Sequence, residues 1–89
     1  MPTVKLLIQG KVQGVFYRAA AKDKARELHI TGWIRNTPDE KVEAVVSGSQ
    51  EKLQTFVEWC KKGPQRAEVS EVIATAQEEI NFETFEIVR

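Results

Sequence analysis

The chain has 89 residues, 13 basic and 13 acidic side chains, and 42% hydrophobic residues. This length predicts one domain spanning residues 1–89 and excludes a large cofactor cleft between domains, while the balanced charge argues against a polyanion-binding protein. A single cysteine, Cys60, and a single histidine, His29, exclude an internal disulfide and argue against a metal centre built from cysteine or histidine. No apolar run approaches the roughly 20 residues of a membrane span, and the N-terminus lacks a signal-peptide pattern, so we expect a cytoplasmic protein without a membrane partner.

The first half of the chain predicts a strand, a loop and a helix. Apolar residues alternate along Val4–Gln9, which is typical of a half-buried strand, and Gly10 is expected to end it. Residues 11–14 form a predicted loop because glycines bracket them. From about Arg18 to His29 the apolar spacing becomes helical, and alanines on the buried side would let this helix lie close to a sheet.

The second half predicts a hairpin, a second helix and two further strands. In chain order these are a strand at Thr31–Arg35, a turn at Asn36–Asp39, a strand at Lys41–Val46, a helix capped by Ser49 and stopped by Gly63-Pro64, an extended segment at Ala67–Ala76 and a last strand at Phe85–Val88. The order β-α-β-β-α-β, with an extra C-terminal strand, predicts the α+β sandwich called ferredoxin-like, in which two helices cover one face of an antiparallel sheet. This fold supports many functions and does not choose among them.

The loop between the first strand and the first helix is the strongest candidate for chemistry. It runs from Gly10 through Gly14 to Arg18 at the helix start. Glycines allow successive backbone N–H groups to converge on an anion, a helix N-terminus adds free donors, and a guanidinium suits phosphate oxygens. These features predict a cradle for a phosphate- or carboxylate-sized anion. The alternative, left open by the local pattern, is a tight turn followed by a solvated arginine.

Outside this loop, few residues stand in a sequence pattern that indicates a chemical role. Asn36 stands where a strand meets a turn, and its amide could orient a water molecule or could bond its own backbone. Trp33 and Trp59 are expected at the core or its edge, and Cys60 is expected to be a buried, inert thiol. No Ser-His-Asp or Cys-His arrangement and no acid–base pair of carboxylates can be identified.

Two segments resemble the signatures of the acylphosphatase family. The first is Gly10-Lys11-Val12-Gln13-Gly14-Val15-Phe16-Tyr17-Arg18, and the second is Thr31-Gly32-Trp33-Ile34-Arg35-Asn36, continued by Val42-Glu43-Ala44. Weaker similarities follow at Gly63-Pro64, Ala67-Glu68-Val69 and Phe85-Glu86-Ile87. The resemblance covers nearly the whole chain, in the family's order and size.

The resemblance implies a ferredoxin-like enzyme that hydrolyses acyl phosphates to a carboxylate and inorganic phosphate, with no metal and no organic cofactor. Arg18 would match the family's phosphate-binding arginine, and Asn36 would match the asparagine that positions the attacking water. The phosphate would be held by the loop amides of Gln13, Gly14, Val15, Phe16, Tyr17 and Arg18. We expect a monomer whose only partners are the small-molecule acyl phosphate and its products, with no nucleic acid.

The sequence departs from the family's pattern in one turn, and two alternative functions stay open. The family usually has Asp-Gly in the turn after the asparagine, whereas this chain has Asp39-Glu40, so we expect a strained or altered turn. A non-enzymatic anion-binding or interaction module on the same fold would bind phosphate without turnover. RNA binding would require aromatic residues on the central strands, and the segments Val4–Gln9 and Lys41–Val46 contain none.

Overall fold

The computed structural model describes residues 1–88, which form two helices and five strands. In chain order these are β1 (Thr3–Lys11), α1 (Tyr17–Glu27), β2 (Thr31–Asn36), β3 (Val42–Ser47), α2 (Gln50–Lys62), β4 (Glu68–Gln77) and β5 (Phe85–Ile87). This order confirms the predicted ferredoxin-like succession and its extra C-terminal strand.

The sheet has the strand order β4-β1-β3-β2-β5. The pairs β1–β4, β1–β3 and β2–β3 are antiparallel, as predicted, whereas β5 pairs with β2 in parallel, so the complete sheet is mixed. Alternate strand residues such as Leu6, Ile34 and Ala44 are fully buried, and they form one core with the apolar sides of α1 and α2. Within residues 1–88 no helix covers the opposite face of the sheet, which carries Lys5, Trp33, Arg35, Glu43 and Val45.

Gly10 has a different role from the one its position suggests. Strand β1 continues through it to Lys11, with an irregularity in the pairing to β4 between Gln9 and Gly10. Gly10 has φ +128°, and a Cβ placed on it would lie 2.1 Å from the carbonyl oxygen of Glu68. The glycine therefore allows β4 to approach closely, and it does not end the strand.

Helix α2 agrees with its predicted ends, and α1 is shorter than expected. The Ser49 side chain caps α2 by accepting a hydrogen bond from the Lys52 N–H at 3.3 Å, and Gly63 follows the last residue with φ +70°. Helix α1 ends at Glu27, because His29 has left-handed backbone angles (φ +57°) that no α-helix continues.

The two tryptophans lie on opposite sides of the sheet. The Trp59 ring packs at the edge of the core, with its centroid 5.6 Å from that of Tyr17 and 6.2 Å from that of Phe56. Trp33 was expected at the core or its edge, but it lies on the helix-free face beside Arg35, whose guanidinium carbon is 6.0 Å from the ring centroid. The expectation was wrong for Trp33, because its position in β2 alternates with the buried Ile34.

Candidate active site

The loop of residues 12–16 joins β1 to α1 and is anchored by alternate side chains. Val12, Val15 and Tyr17 are buried, whereas Gly14 and Phe16 are exposed. These buried side chains anchor the loop to the hydrophobic core. Its backbone is consequently held at the surface, at one end of the sheet.

The backbone N–H groups of this loop are free to bind a ligand. None of the backbone hydrogen bonds found outside the helices and strands of residues 1–88 is donated by residues 12–16. Gly14 and Phe16 both have positive φ, +72° and +62°, and such alternation of backbone angles turns neighbouring N–H groups toward one side. The first turn of α1 adds unpaired donors and no side chain caps it. The loop thus has the geometry of an anion cradle.

Arg18 lies in the first turn of α1, at the edge of this cradle. Its side chain is half-buried and forms no ion pair or hydrogen bond with any residue in the described part of the chain. The first turn contains no acidic residue. A cation beside the positive end of the helix dipole is unfavourable unless an anion lies nearby. The position of Arg18 therefore favours a bound anion.

Asn36, the last residue of β2, presents an unused acceptor. Its Oδ1 atom is buried and has no hydrogen-bond partner within residues 1–88. A buried acceptor without a partner costs about 1–3 kcal/mol, so a water molecule or ligand that donates to it is strongly favoured. The loop, Arg18 and Asn36 line one cavity of about 380 Å³. The complete lining consists of Val12, Gly14, Phe16, Tyr17, Arg18, Ala19, Asn36 and Ile87.

Two of the predicted loop residues direct their side chains elsewhere. Val15 is buried and contributes only its backbone. The Gln13 side chain reaches the turn that follows Asn36, where Nε2 donates hydrogen bonds to the carbonyl oxygens of Thr37 at 3.0 Å and Lys41 at 2.8 Å. This clamp joins the anion cradle to the strand end that carries Asn36. Nothing in the local sequence indicated it.

The turn after Asn36 keeps a left-handed residue where the resemblance expects glycine. Glu40 has φ +67°, which costs a non-glycine residue roughly 1–2 kcal/mol. The Thr37 N–H donates to the Lys41 carbonyl at 2.9 Å, and the Thr37 hydroxyl accepts from the Lys41 N–H at 3.0 Å. Asp39 and Lys41 also form an ion pair at 3.2 Å. These contacts hold the turn in shape despite the strain at Glu40.

Tyr17 and Cys60 lie beneath the site and remain neutral. The Tyr17 hydroxyl donates to the Cys60 carbonyl oxygen at 2.7 Å, which attaches the start of α1 to the end of α2. Burial raises the pKa of the Tyr17 hydroxyl far above its usual range and that of the Cys60 thiol to about 12. Both side chains therefore stay protonated at neutral pH. The hydrogen bond from the Tyr17 hydroxyl to the Cys60 backbone carbonyl holds the start of α1 in place.

Residues 1–88 contain neither a cluster of metal-binding side chains nor a membrane-spanning helix. No group of three or more His, Cys, Asp or Glu side chains lies together in a way that could hold a metal ion. No helix in that range has the length and apolar composition needed to cross a membrane.

A family model, related sequences and solved structures all indicate similarity to acylphosphatases. A model of the acylphosphatase family matches residues 4–87. An acylphosphatase of Marinobacter nauticus is 52% identical over 83 residues, which cover 89% of this chain and 90% of that protein. The crystal structure of acylphosphatase from Bacillus subtilis matches all of both chains with a TM-score of 0.97 at 30% identity. An acylphosphatase structure from Coxiella burnetii has a TM-score of 0.95 at 33% identity, over 98% of this chain and 92% of that one.

Proposed function

The chain belongs to the acylphosphatase family, and from that premise we propose that it hydrolyses acyl phosphates in the cavity between the loop, Arg18 and Asn36. One observation carries the assignment of the site. An unpaired guanidinium and an unpaired buried amide oxygen line the same small cavity, beside a row of free backbone N–H groups. The first two groups match the two steps that the reaction requires, binding a phosphate and orienting a water molecule.

The phosphate end of the substrate is held by charge and by donors already in place. The guanidinium of Arg18 offers two parallel N–H donors to phosphate oxygens, and the amides of residues 13–18 supply the remaining hydrogen bonds. Phosphoryl transfer depends mainly on positioning and on stabilising charge at the equatorial oxygens. A fixed array of donors performs that task without reorganising during the reaction.

The attacking water is oriented by Asn36. Its Oδ1 accepts a hydrogen from the water, which leaves a lone pair of the water oxygen directed at phosphorus. The new phosphorus–oxygen bond forms as the bond to the acyl oxygen breaks, the carboxylate departs with that electron pair, and the water's protons pass to product phosphate and solvent. Because a carboxylate is a stable leaving group at neutral pH, no strong general acid is needed. The Tyr17 hydroxyl, which already donates to the Cys60 carbonyl, is not required as a general acid.

The test is hydrolysis of benzoyl phosphate by the purified protein in the presence of a metal chelator. We expect steady turnover, with competitive inhibition by inorganic phosphate. In water labelled with a heavy oxygen isotope, the label should appear in phosphate and be absent from benzoate. Phosphate binding without any turnover would contradict this proposal and favour a non-catalytic anion-binding module.

We further propose that the protein acts as a cytoplasmic monomer with a single domain. The buried residues of one hydrophobic core come from both helices and from all strands but β4. The free thiol of Cys60 suits a reducing compartment. Light scattering should give a mass near the 10.1 kDa of one chain, and a stable dimer would contradict the monomer.

A further inference from the structure

Phe16 combines two unfavourable features at the mouth of the cavity. Its side chain is 74% exposed, more than any other large hydrophobic residue in the described part of the chain. Its backbone is left-handed, with φ +62° and ψ +23°, a conformation that is rare for a bulky residue. Unfavourable features of this kind persist where the surrounding structure enforces them, and they concentrate at functional sites.

The left-handed backbone of Phe16 suits an amide that binds an anion, but it does not account for the large exposed side chain at this position. Left-handed angles within such a loop let neighbouring N–H groups converge on an anion, and glycine would adopt these angles with less strain. The phenyl ring forms no aromatic pair with another ring among residues 1–88. Phe16 is one of the residues that line the cavity, together with Arg18 and Asn36. An exposed ring on a residue of this cavity is available to a ligand that Arg18 binds.

The cavity wall itself has a polar part and an apolar part. Arg18 and Asn36 supply the polar groups, while Phe16, Ala19 and Ile87 supply apolar surface. Arg18 is the one charged side chain of the described lining, so no counter-charge is available for a second ionised group on a ligand. An acyl phosphate has the same division, with an anionic phosphate at one end and an acyl group at the other.

We propose that Phe16 is a specificity-determining residue whose ring contacts the acyl group of the substrate. This inference rests on the proposed function of the site. With the phosphate held at Arg18, the acyl group is left to the apolar wall. The preferred substrates are then acyl phosphates with an apolar or aromatic acyl group, and those with a small polar or charged acyl group are hydrolysed less efficiently.

The experiment compares kcat/KM for benzoyl phosphate with kcat/KM for acetyl phosphate. In the unaltered protein we expect the ratio to favour benzoyl phosphate after correction for the two spontaneous rates. Phe16→Ala should lower this ratio about five- to tenfold, since it removes an aromatic contact, and Phe16→Tyr should restore most of it. Ile73→Ala is the matched control, because Ile73 is an exposed hydrophobic residue that does not line this cavity, and it should leave the ratio unchanged.

A second measurement uses ligands that are not hydrolysed. Benzylphosphonate should inhibit or bind more tightly than methylphosphonate, and Phe16→Ala should reduce that difference. Equal affinities, or an equal loss for both substrates in Phe16→Ala, would overturn the role of Phe16 while leaving acyl phosphate hydrolysis intact. If neither acyl phosphate were hydrolysed, the proposed function would fail, and the two phosphonates would still decide whether Phe16 contacts the ligand.

Discussion

Arg18 and Arg35 lie in regions of opposite character. On the helix-free face, Arg35 donates from Nε and Nη2 to the Glu43 carboxylate at 2.8 and 2.7 Å, and Lys5 pairs with the same carboxylate at 3.1 Å. At the site, Arg18 has no such partner in the described part of the chain. Charges that satisfy one another stabilise the fold, whereas a charge left unpaired is available to a ligand.

The same contrast holds for uncharged groups. Thr3 and Ser47 are buried, and their hydroxyls share a hydrogen bond of 2.7 Å while also bonding the backbone of Ile80 at 3.1 and 2.9 Å. Asn36 Oδ1 is buried without a partner inside residues 1–88. Among residues 1–88, Asn36 Oδ1 at the cavity is therefore the one buried side-chain polar atom left without a partner. This selectivity distinguishes the site from the rest of the surface more clearly than composition does.

Replacing the two arginines should produce the largest difference between the regions. Arg18→Ala is expected to lower kcat/KM for benzoyl phosphate about 10²–10³-fold and to weaken inhibition by phosphate, because a preorganised charged donor is lost. Arg35→Ala should change kcat/KM by less than about twofold, since its charge is already used by Glu43. Arg18→Lys should lie between them, because lysine keeps the charge and loses the planar fork. Similar losses for Arg18→Ala and Arg35→Ala would contradict the proposal that the unpaired charge of Arg18 binds the substrate.

Asn36→Ala should lower turnover almost as strongly while leaving phosphate binding nearly intact. We expect kcat to fall about 10²-fold, the usual effect of losing one oriented polar group, and the inhibition constant of phosphate to change little. Asn81→Ala, which removes an exposed asparagine far along the chain, is the matched control. If phosphate binding weakened while kcat was retained, Asn36 would hold phosphate and the proposed orientation of water would be wrong.

Stability gives Asn36 a second test. Its Oδ1 is an unsatisfied buried acceptor, so alanine at this position removes a desolvation cost along with the amide. The free energy of unfolding of Asn36→Ala, from urea denaturation, should stay level or rise. A marked loss of stability would indicate a structural asparagine with partners of its own.

Gln13 is expected to have a smaller effect on turnover. Its side chain joins the cradle to the turn after Asn36, and its loss should displace both by a fraction of an ångström. Gln13→Ala should then lower kcat about tenfold, less than the roughly 10²-fold cost of a 1 Å misplacement. Gln13→Glu keeps the size but cannot donate to two carbonyls, so it should lose at least as much activity. Gln54→Glu, on the exposed side of α2, is the control and should have no effect.

The readout for Gln13 separates positioning from simple destabilisation. Both Gln13 variants should lower kcat more than they raise the inhibition constant of phosphate, because the Asn36 side of the site moves relative to the loop. A variant that merely unfolded a fraction of the molecules would lower the active concentration and leave every constant of the remainder unchanged. That result, established by titrating the folded fraction, would limit Gln13 to a structural role.

The elements and the two central side chains were predictable because their signals are local. Strand alternation, the Ser49 cap and the Gly63-Pro64 stop each lie within a few residues of the feature that they determine. Arg18 and Asn36 belong to contiguous segments that resemble the family's signatures. The structure brings both side chains to one cavity, and their roles there remain proposals.

The features that sequence reasoning missed depend on residues distant in the chain. Gln13 finds its acceptors 24 and 28 residues away, in a turn whose approach no local pattern encodes. Gly10 looked like a strand end because its true reason, contact with the Glu68 carbonyl, lies in β4. Trp33 was expected at the core or its edge, but it lies on the helix-free face. Which face of a strand a residue occupies is set by register, and a shift of one residue reverses it.

Replacing Glu43, which pairs with Arg35 and Lys5 on the helix-free face, should have the smallest effect on activity. Burial by itself raises the pKa of this carboxyl, but hydrogen bonds from Arg35 and Lys5 outweigh it and hold the pKa below the usual range. A folded-state pKa below the unfolded one contributes stability above about pH 4.3, and that contribution is lost as pH falls through the folded-state pKa. Glu43→Gln should therefore lower the free energy of unfolding by about 1–2 kcal/mol near neutral pH.

The loss in Glu43→Gln should shrink as the solution is acidified, because the unaltered protein then loses the same charge. Urea denaturation across that range measures it, with Glu83→Gln as the control, since Glu83 is exposed and has no ion pair among residues 1–88. At neutral pH the folded Glu43→Gln protein should retain kcat/KM within about twofold. Arg18→Ala should have the opposite effects. It should abolish most activity, but the protein should not lose stability, because removing a cation from the positive end of α1 relieves repulsion. A loss of stability in Glu43→Gln that persisted in acid would show that packing, and not the paired charge, maintains the helix-free face.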